Sequence, residues 1–185
     1  MNSTFVFSVW RASQDSVFRQ AILAVVGTLL LAISAKVQIP FWPVPMTMQT
    51  FVVLLLGISY GPRLGTTTGI LYLVEGAVGL PVFAQGAGFA YLMGPTGGYL
   101  FGFVLAMYAT GMLAQRGWGQ SVYTTLLAML IGETIIFALG VGWLTIVVGL
   151  NKAISAGLTP FLLAEIFKVA LAVVTLPLAW KRFAK

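Results

Sequence analysis

The chain has 185 residues, of which 59% are hydrophobic and 8% charged, with a formal net charge of +6 and a mean hydropathy of +1.00. Ordinary soluble domains carry about 25% charged residues, so this composition excludes them and identifies an integral membrane protein. Neither cysteine nor histidine occurs, which excludes disulfides, thiol catalysis and imidazole-based metal sites or proton relays. The positive charge then reports the basic side of a membrane protein rather than affinity for nucleic acid.

Phe5, Val6, Phe7, Val9 and Trp10 form an apolar block too short for a cleavable signal, and Arg11, Asp15 and Arg19 interrupt its continuation. This segment reads as an interfacial lead-in. Prolines and glycines then punctuate the chain, and helices are expected over residues 17–37, 45–61, 63–80, 96–115, 120–148 and 159–180. Pro45 suits the first turn of span 2 and Pro160 the start of span 6. Span 5 is longer than a bilayer requires, and Gly140 and Gly142 are candidate points for a break or tilt. With no linker to divide it, the chain 1–185 is a single all-α domain of six transmembrane helices.

An even number of spans puts both termini on one side. The termini and the 2–3 and 4–5 connections hold Arg11, Arg19, Arg63, Arg116, Lys181, Arg182 and Lys185, against Lys36 and Lys152 opposite. The positive-inside rule therefore makes the termini cytoplasmic. Two outward loops, 37–44 and 81–95, contain no charge. Span 2 after Pro45 is only about 16 residues, roughly 24 Å long, so the loop before it is expected to dip to membrane depth. Non-helical backbone is tolerated there only when buried in protein or lining a cavity. With its apolar Ile39, Phe41, Trp42, Val44 and Met46 it reads either as a lid or as a tight turn anchored at the interface by Phe41 and Trp42.

Glu75, Glu133, Glu165 and Lys168 fall at membrane depth, where each charge costs about 2.5 to 3.5 kcal/mol at a helix centre on insertion scales. Glu165 and Lys168 are i and i+3 on span 6, roughly 8 and 12 Å below its outer start. They share a face, partly neutralise one another, and together offer an acceptor and three donors to a small polar ligand. Their rival reading is a structural ion pair. For Glu75 a ligand contact and a carboxylate held by neighbouring helices stand level, and for Glu133 the structural reading is favoured.

Tyr72, Phe83, Phe89, Tyr91, Tyr99 and Trp143 are available to wall a site for a flat ligand, though most aromatics in a bundle are packing or interface anchors. Gln85 is an amide in an otherwise apolar outer loop and needs a partner. On span 1, Ala24, Thr28 and Ala32 form a small-residue stripe that lets another helix approach, either of this chain or of a separate membrane subunit. No lysine follows a glycine and no GxSxG occurs, so neither a Walker A loop nor a nucleophile elbow is present. Nothing resembles a metal-ligand cluster or calls for a cofactor, and an enzyme is not expected.

The stretches PVPMTMQTFVVLLLG (43–57), YLVEGAVGLPVFAQGAG (72–88) and GPTGGYLFGF (94–103) resemble, in that order, the signatures of the BioY family, the biotin-specific substrate-binding (S) components of energy-coupling factor transporters. The resemblance runs from span 1 to span 6. It implies a six-helix subunit of the bacterial inner membrane that binds biotin at its outer side. Import is then driven by a separate membrane coupling subunit and paired ATPases, the S component toppling to present its loaded site to the cytoplasm. It also implies that residues 40–49 gate the ligand, with Phe41 and Trp42 in the lid. The acid and lysine three apart on span 6 become Glu165 and Lys168 of AEIFK, with Glu standing where Asp is the expected acid. An amide in the 3–4 region becomes Gln85, and Ala24, Thr28 and Ala32 become the coupling-subunit face. Tyr72, Glu75 and Tyr91 complete the expected ligand contacts. Two rival functions remain: a self-sufficient secondary carrier, against which the lack of an inverted repeat argues, and a structural subunit that binds nothing.

Overall fold

The computed structural model describes residues 4–6 and 16–183. Most of the lead-in, residues 7–15, lies outside the described residues. The elements in order are α1 (Val17–Lys36), β1 (Gln38–Ile39), β2 (Met46–Thr47), α2 (Gln49–Ala77), α3 (Phe89–Leu92), α4 (Gly97–Gln115), α5 (Val122–Val148), α6 (Leu150–Gly157) and α7 (Phe161–Phe183). Ser16 and Ser121 cap α1 and α5 by accepting from the backbone N–H groups of Arg19 and Thr124, at 3.4 and 3.3 Å. Each satisfies a donor that the first turn would otherwise leave orphaned.

Four helices, α1, α4, α5 and α7, are long and apolar enough to cross a membrane. Their outward faces are greasy: Ile166, Phe167 and Ile146 are 65%, 68% and 83% exposed. Such a surface suits lipid and would be a large liability in water.

Spans 2 and 3 form a single element, α2, bent where Gly61 adopts φ 80° ahead of Pro62. Glycine alone takes that backbone freely, and proline cannot continue the hydrogen-bond ladder. The limbs 49–60 and 62–77 fold back on each other. Gln49 therefore meets Tyr72, its Nε2 donating to the tyrosine oxygen at 2.8 Å. The first limb starts at Gln49 rather than at Pro45, because residues 38–47 are drawn into an antiparallel hairpin pairing Gln38 with Thr47 and Ile39 with Met46. Gly140 and Gly142 do not break α5, which runs without interruption to Val148.

α4 packs between α2 and α5, and glycines let these neighbours approach backbone to backbone. A Cβ on Gly57 of α2 would sit 3.0 Å from the Met107 backbone, and one on Gly102 of α4 would sit 3.0 Å from the Ile136 backbone. The small stripe of α1 faces inward too. Ala24 and Thr28 are 4% and 2% exposed, Thr28 donates to Glu75 Oε1 at 3.0 Å, and the intervening Gly27 abuts Thr68 of α2. The stripe's role is thus corrected: Ala24 and Thr28 are covered by this chain's own α2 and are not open to a separate subunit, and Ala32 is half-buried beside them.

The bundle has two distinct ends. Phe5 packs edge-on against Trp180 with ring centroids 5.4 Å apart, and Thr4 lies against Gly61. The bend of α2, the start of the described chain and the close of α7 therefore share one end, with Arg63, Arg116, Lys181 and Arg182 around it. At the other end lie the hairpin, the 78–96 segment and α6, with Lys36 and Lys152.

Candidate ligand-binding site

The buried residues of α7 are Phe161, Glu165, Lys168, Val169 and Ala172, followed by Leu176 and Pro177. These positions recur at helical spacing, so the acid and the lysine lie on the stripe that faces the bundle. They are 6% and 7% exposed. Lys168 Nζ donates to Glu165 Oε1 at 2.8 Å, to the Thr50 hydroxyl at 3.0 Å and to the Thr47 carbonyl at 2.6 Å. Thr50 donates in turn to Glu165 Oε2 at 2.8 Å. A single ammonium thus joins α7, the start of α2 and the hairpin. All three of its protons are engaged, whereas each carboxylate oxygen, able to accept twice, holds one of these bonds.

Glu165 borders a cavity of about 40 Å³. Val44, Pro45 and Thr47 of the hairpin cover it, and Gln49 and Thr50 form one wall. Tyr91, Tyr99, Phe103, Phe137 and Phe161 supply the aromatic sides. These rings brace one another: Phe137 meets Tyr99 and Phe161 edge-on at 5.9 Å, and Tyr91 stacks on Phe83 at 5.0 Å. The Tyr99 hydroxyl donates to the Gly157 carbonyl at 2.8 Å, fixing that ring against the end of α6.

Of the residues singled out from sequence, Glu165 and Tyr91 line the cavity and Lys168 stands directly behind its polar wall. Tyr72 is one shell further out, gripping Gln49 and donating to the Val82 carbonyl at 2.9 Å. Glu75 is bound to Thr28, away from the cavity. Phe41 and Trp42 are 42% and 79% exposed at the hairpin tip; the lid residues that turn inward are Val44, Pro45 and Thr47 instead. Gln85 is exposed and does not line the cavity, because the 81–88 loop turns Phe83 and Ala84 inward. The amide at the cavity is Gln49. Thr50 was missed by sequence reasoning, and Thr47 and Gln49 were covered only as part of the 40–49 gate rather than singled out, although adjacent polar residues at the head of an apolar helix were a usable signal. Lys36 and Gln38 add a link between the two outer segments, donating to the carbonyls of Phe83 and Ala84 at 2.6 and 3.1 Å.

The profile of the BioY family matches residues 6–185. A biotin transporter BioY from Thermotoga maritima is 42% identical over 156 residues, covering 83% of this chain and 91% of its own. A probable biotin transporter BioY from Pyrococcus horikoshii is 37% identical over 157 residues, covering 84% and 93%. The fold is that of a crystal structure described as the S-component for biotin from an ECF-type ABC transporter, with a TM-score of 0.76 and 24% identity over 89% of this chain and 92% of that one. With a profile match along nearly its whole length and relatives this similar, the chain belongs to the BioY family.

Proposed function

We propose that this chain is the high-affinity biotin-binding S component of an energy-coupling factor transporter. It captures the vitamin at the outer face of the bacterial inner membrane and hands it to a coupling subunit and ATPases, and it is not an enzyme. The limbs of α2, about 18 and 24 Å long at helical rise, supply two further crossings beside the four long helices, making six. Positive residues gathered at the Gly61 end support a cytoplasmic position for that end and both termini, with the hairpin end outside.

The observation that carries the reading is a buried carboxylate, Glu165, presented to an aromatic-walled cavity while its counter-ion is fully occupied by protein acceptors. Biotin offers two ureido N–H donors on a mostly apolar bicycle, plus a carboxylate tail. Glu165 retains acceptor capacity for a ureido N–H group, and a tail carboxylate brought beside it would be repelled. The ureido ring therefore sits at Glu165 between the aromatic walls, and the tail points away. Purified protein titrated with labelled biotin is expected to saturate at about one per chain, as a single site requires. Absence of saturable binding would sink the proposal.

A cavity of about 40 Å³ holds only a few waters, so the hairpin must move to admit biotin. Lys36 and Gln38 latch it to the 78–96 segment. Replacing both with alanine is expected to speed association and dissociation together by about tenfold, one modest and one charged hydrogen bond being lost, with little change in Kd. Stopped-flow binding checks this, and unchanged rates would remove the latch from the entry path.

A further inference from the structure

Glu133 of α5 has no role in the capture of biotin proposed for Glu165 and its aromatic walls. It is 8% exposed, and neither carboxyl oxygen receives a hydrogen bond from any described residue. Its carboxyl lies within hydrogen-bonding reach of the Glu165 carboxyl, and the charged groups acting on it are Glu165 and Lys168, both of α7. What α2 and α4 bring to this level is uncharged: the preceding Gly132 abuts Leu54 and Thr110. Between α5 and α7, Leu126, Leu130, Ile166 and Val169 line an otherwise apolar groove that Glu133 and Glu165 both border.

Charge counting is decisive in such surroundings. With both acids ionised, the cluster would hold two negative charges against one ammonium, and a buried charge without a partner is far costlier than a lost hydrogen bond. Two carboxyls in mutual contact share a proton rather than ionise together. Glu165 is the member held by Lys168 and Thr50, so the proton belongs on Glu133, where it makes the cluster neutral and gives that side chain its missing partner.

We infer that Glu133 is a neutral acid that donates a hydrogen bond to Glu165, making it a positioning residue that aims the ligand-binding carboxylate into the cavity. This rests on the proposed biotin site and adds a third donor to the carboxylate, beside Lys168 and Thr50. The partner of the proton is an atom of the binding site itself, so its loss is felt in affinity.

The test is a pair of variants with two readouts. Glu133→Gln keeps a neutral donor of similar shape and is expected to bind biotin within about threefold of the wild type, whereas Glu133→Leu, which donates nothing, weakens binding by about tenfold or more. Infrared difference spectra of wild type against Glu133→Gln are expected to show the C=O stretch of a protonated carboxyl in the wild type alone. Equal weakening by Gln and Leu, unimpaired binding by Leu, or absence of that band would each overturn the inference. The infrared readout needs no ligand, so failure of the wild type to bind biotin would sink the transport reading and leave the proton on Glu133 still decided.

Discussion

Replacing Lys168 with methionine is expected to lower biotin affinity by about a hundredfold and stability by about 3 kcal/mol, the cost of leaving one member of a buried ion pair alone. The ammonium makes three bonds at 2.6 to 3.0 Å, to Thr47, Thr50 and Glu165. Its loss strands a carboxylate and also frees the hairpin strand that roofs the cavity. A second substitution separates these effects. Glu165→Gln combined with Lys168→Met removes both charges, and replacing a whole buried pair is often nearly neutral for stability. The double variant should therefore recover to within about 1 kcal/mol of the wild type in denaturant unfolding while binding no better than the single one. If it regained affinity, the pair would be scaffolding alone and the vitamin would have to be recognised elsewhere.

That pair was legible because two charges three apart in an apolar run have a single economical solution, a shared inward face. The long helices were legible for a similar reason: their apolar runs exceed what a soluble core needs, and the expected starts at 17, 96 and 120 fall within two residues of Val17, Gly97 and Val122. The hairpin was not, because strands of two residues carry no period to detect. Nor could the direction of Lys168 be read, since its shortest bond goes to a backbone carbonyl 121 positions away. Sequence reasoning singles out Gln85 as the amide of the site without weighing Gln49 against it, and it fails on the same ground. Both are amides in apolar settings, and what separates them is that Gln49 sits at the head of α2 opposite Tyr72, a contact created by the reversal at Gly61. The stripe of α1 illustrates an ambiguity of chemistry: small residues announce close approach by a helix, without saying whose. Here Glu75 and Thr68 on α2 take that place.

Gly140 and Gly142 of α5, two residues apart, are expected to respond in opposite ways, because their surroundings differ and their helix does not bend at either. A Cβ on Gly140 would enter the ring of Tyr99, whereas one on Gly142 would meet nothing within 4 Å. Tyr99 cannot step aside. Its hydroxyl is tied to the Gly157 carbonyl at 2.8 Å, Phe137 lies edge-on against its ring, and only 5% of the residue is exposed. Gly140→Val is therefore expected to cost about 3 kcal/mol, the upper range for forcing extra atoms into a packed core. Because Tyr99 is a wall of the cavity, biotin affinity should fall with it. Gly142→Ala should be neutral or stabilising by up to about 1 kcal/mol, since it limits the unfolded backbone and adds a better helix former. Melting of the two variants in the same detergent, with biotin titration of each, checks the contrast. A destabilised Gly142→Ala would mean that a partner covers that face of α5. A neutral Gly140→Val would require Tyr99 to swing away from Gly157, and the aromatic wall of the cavity would then be a movable one.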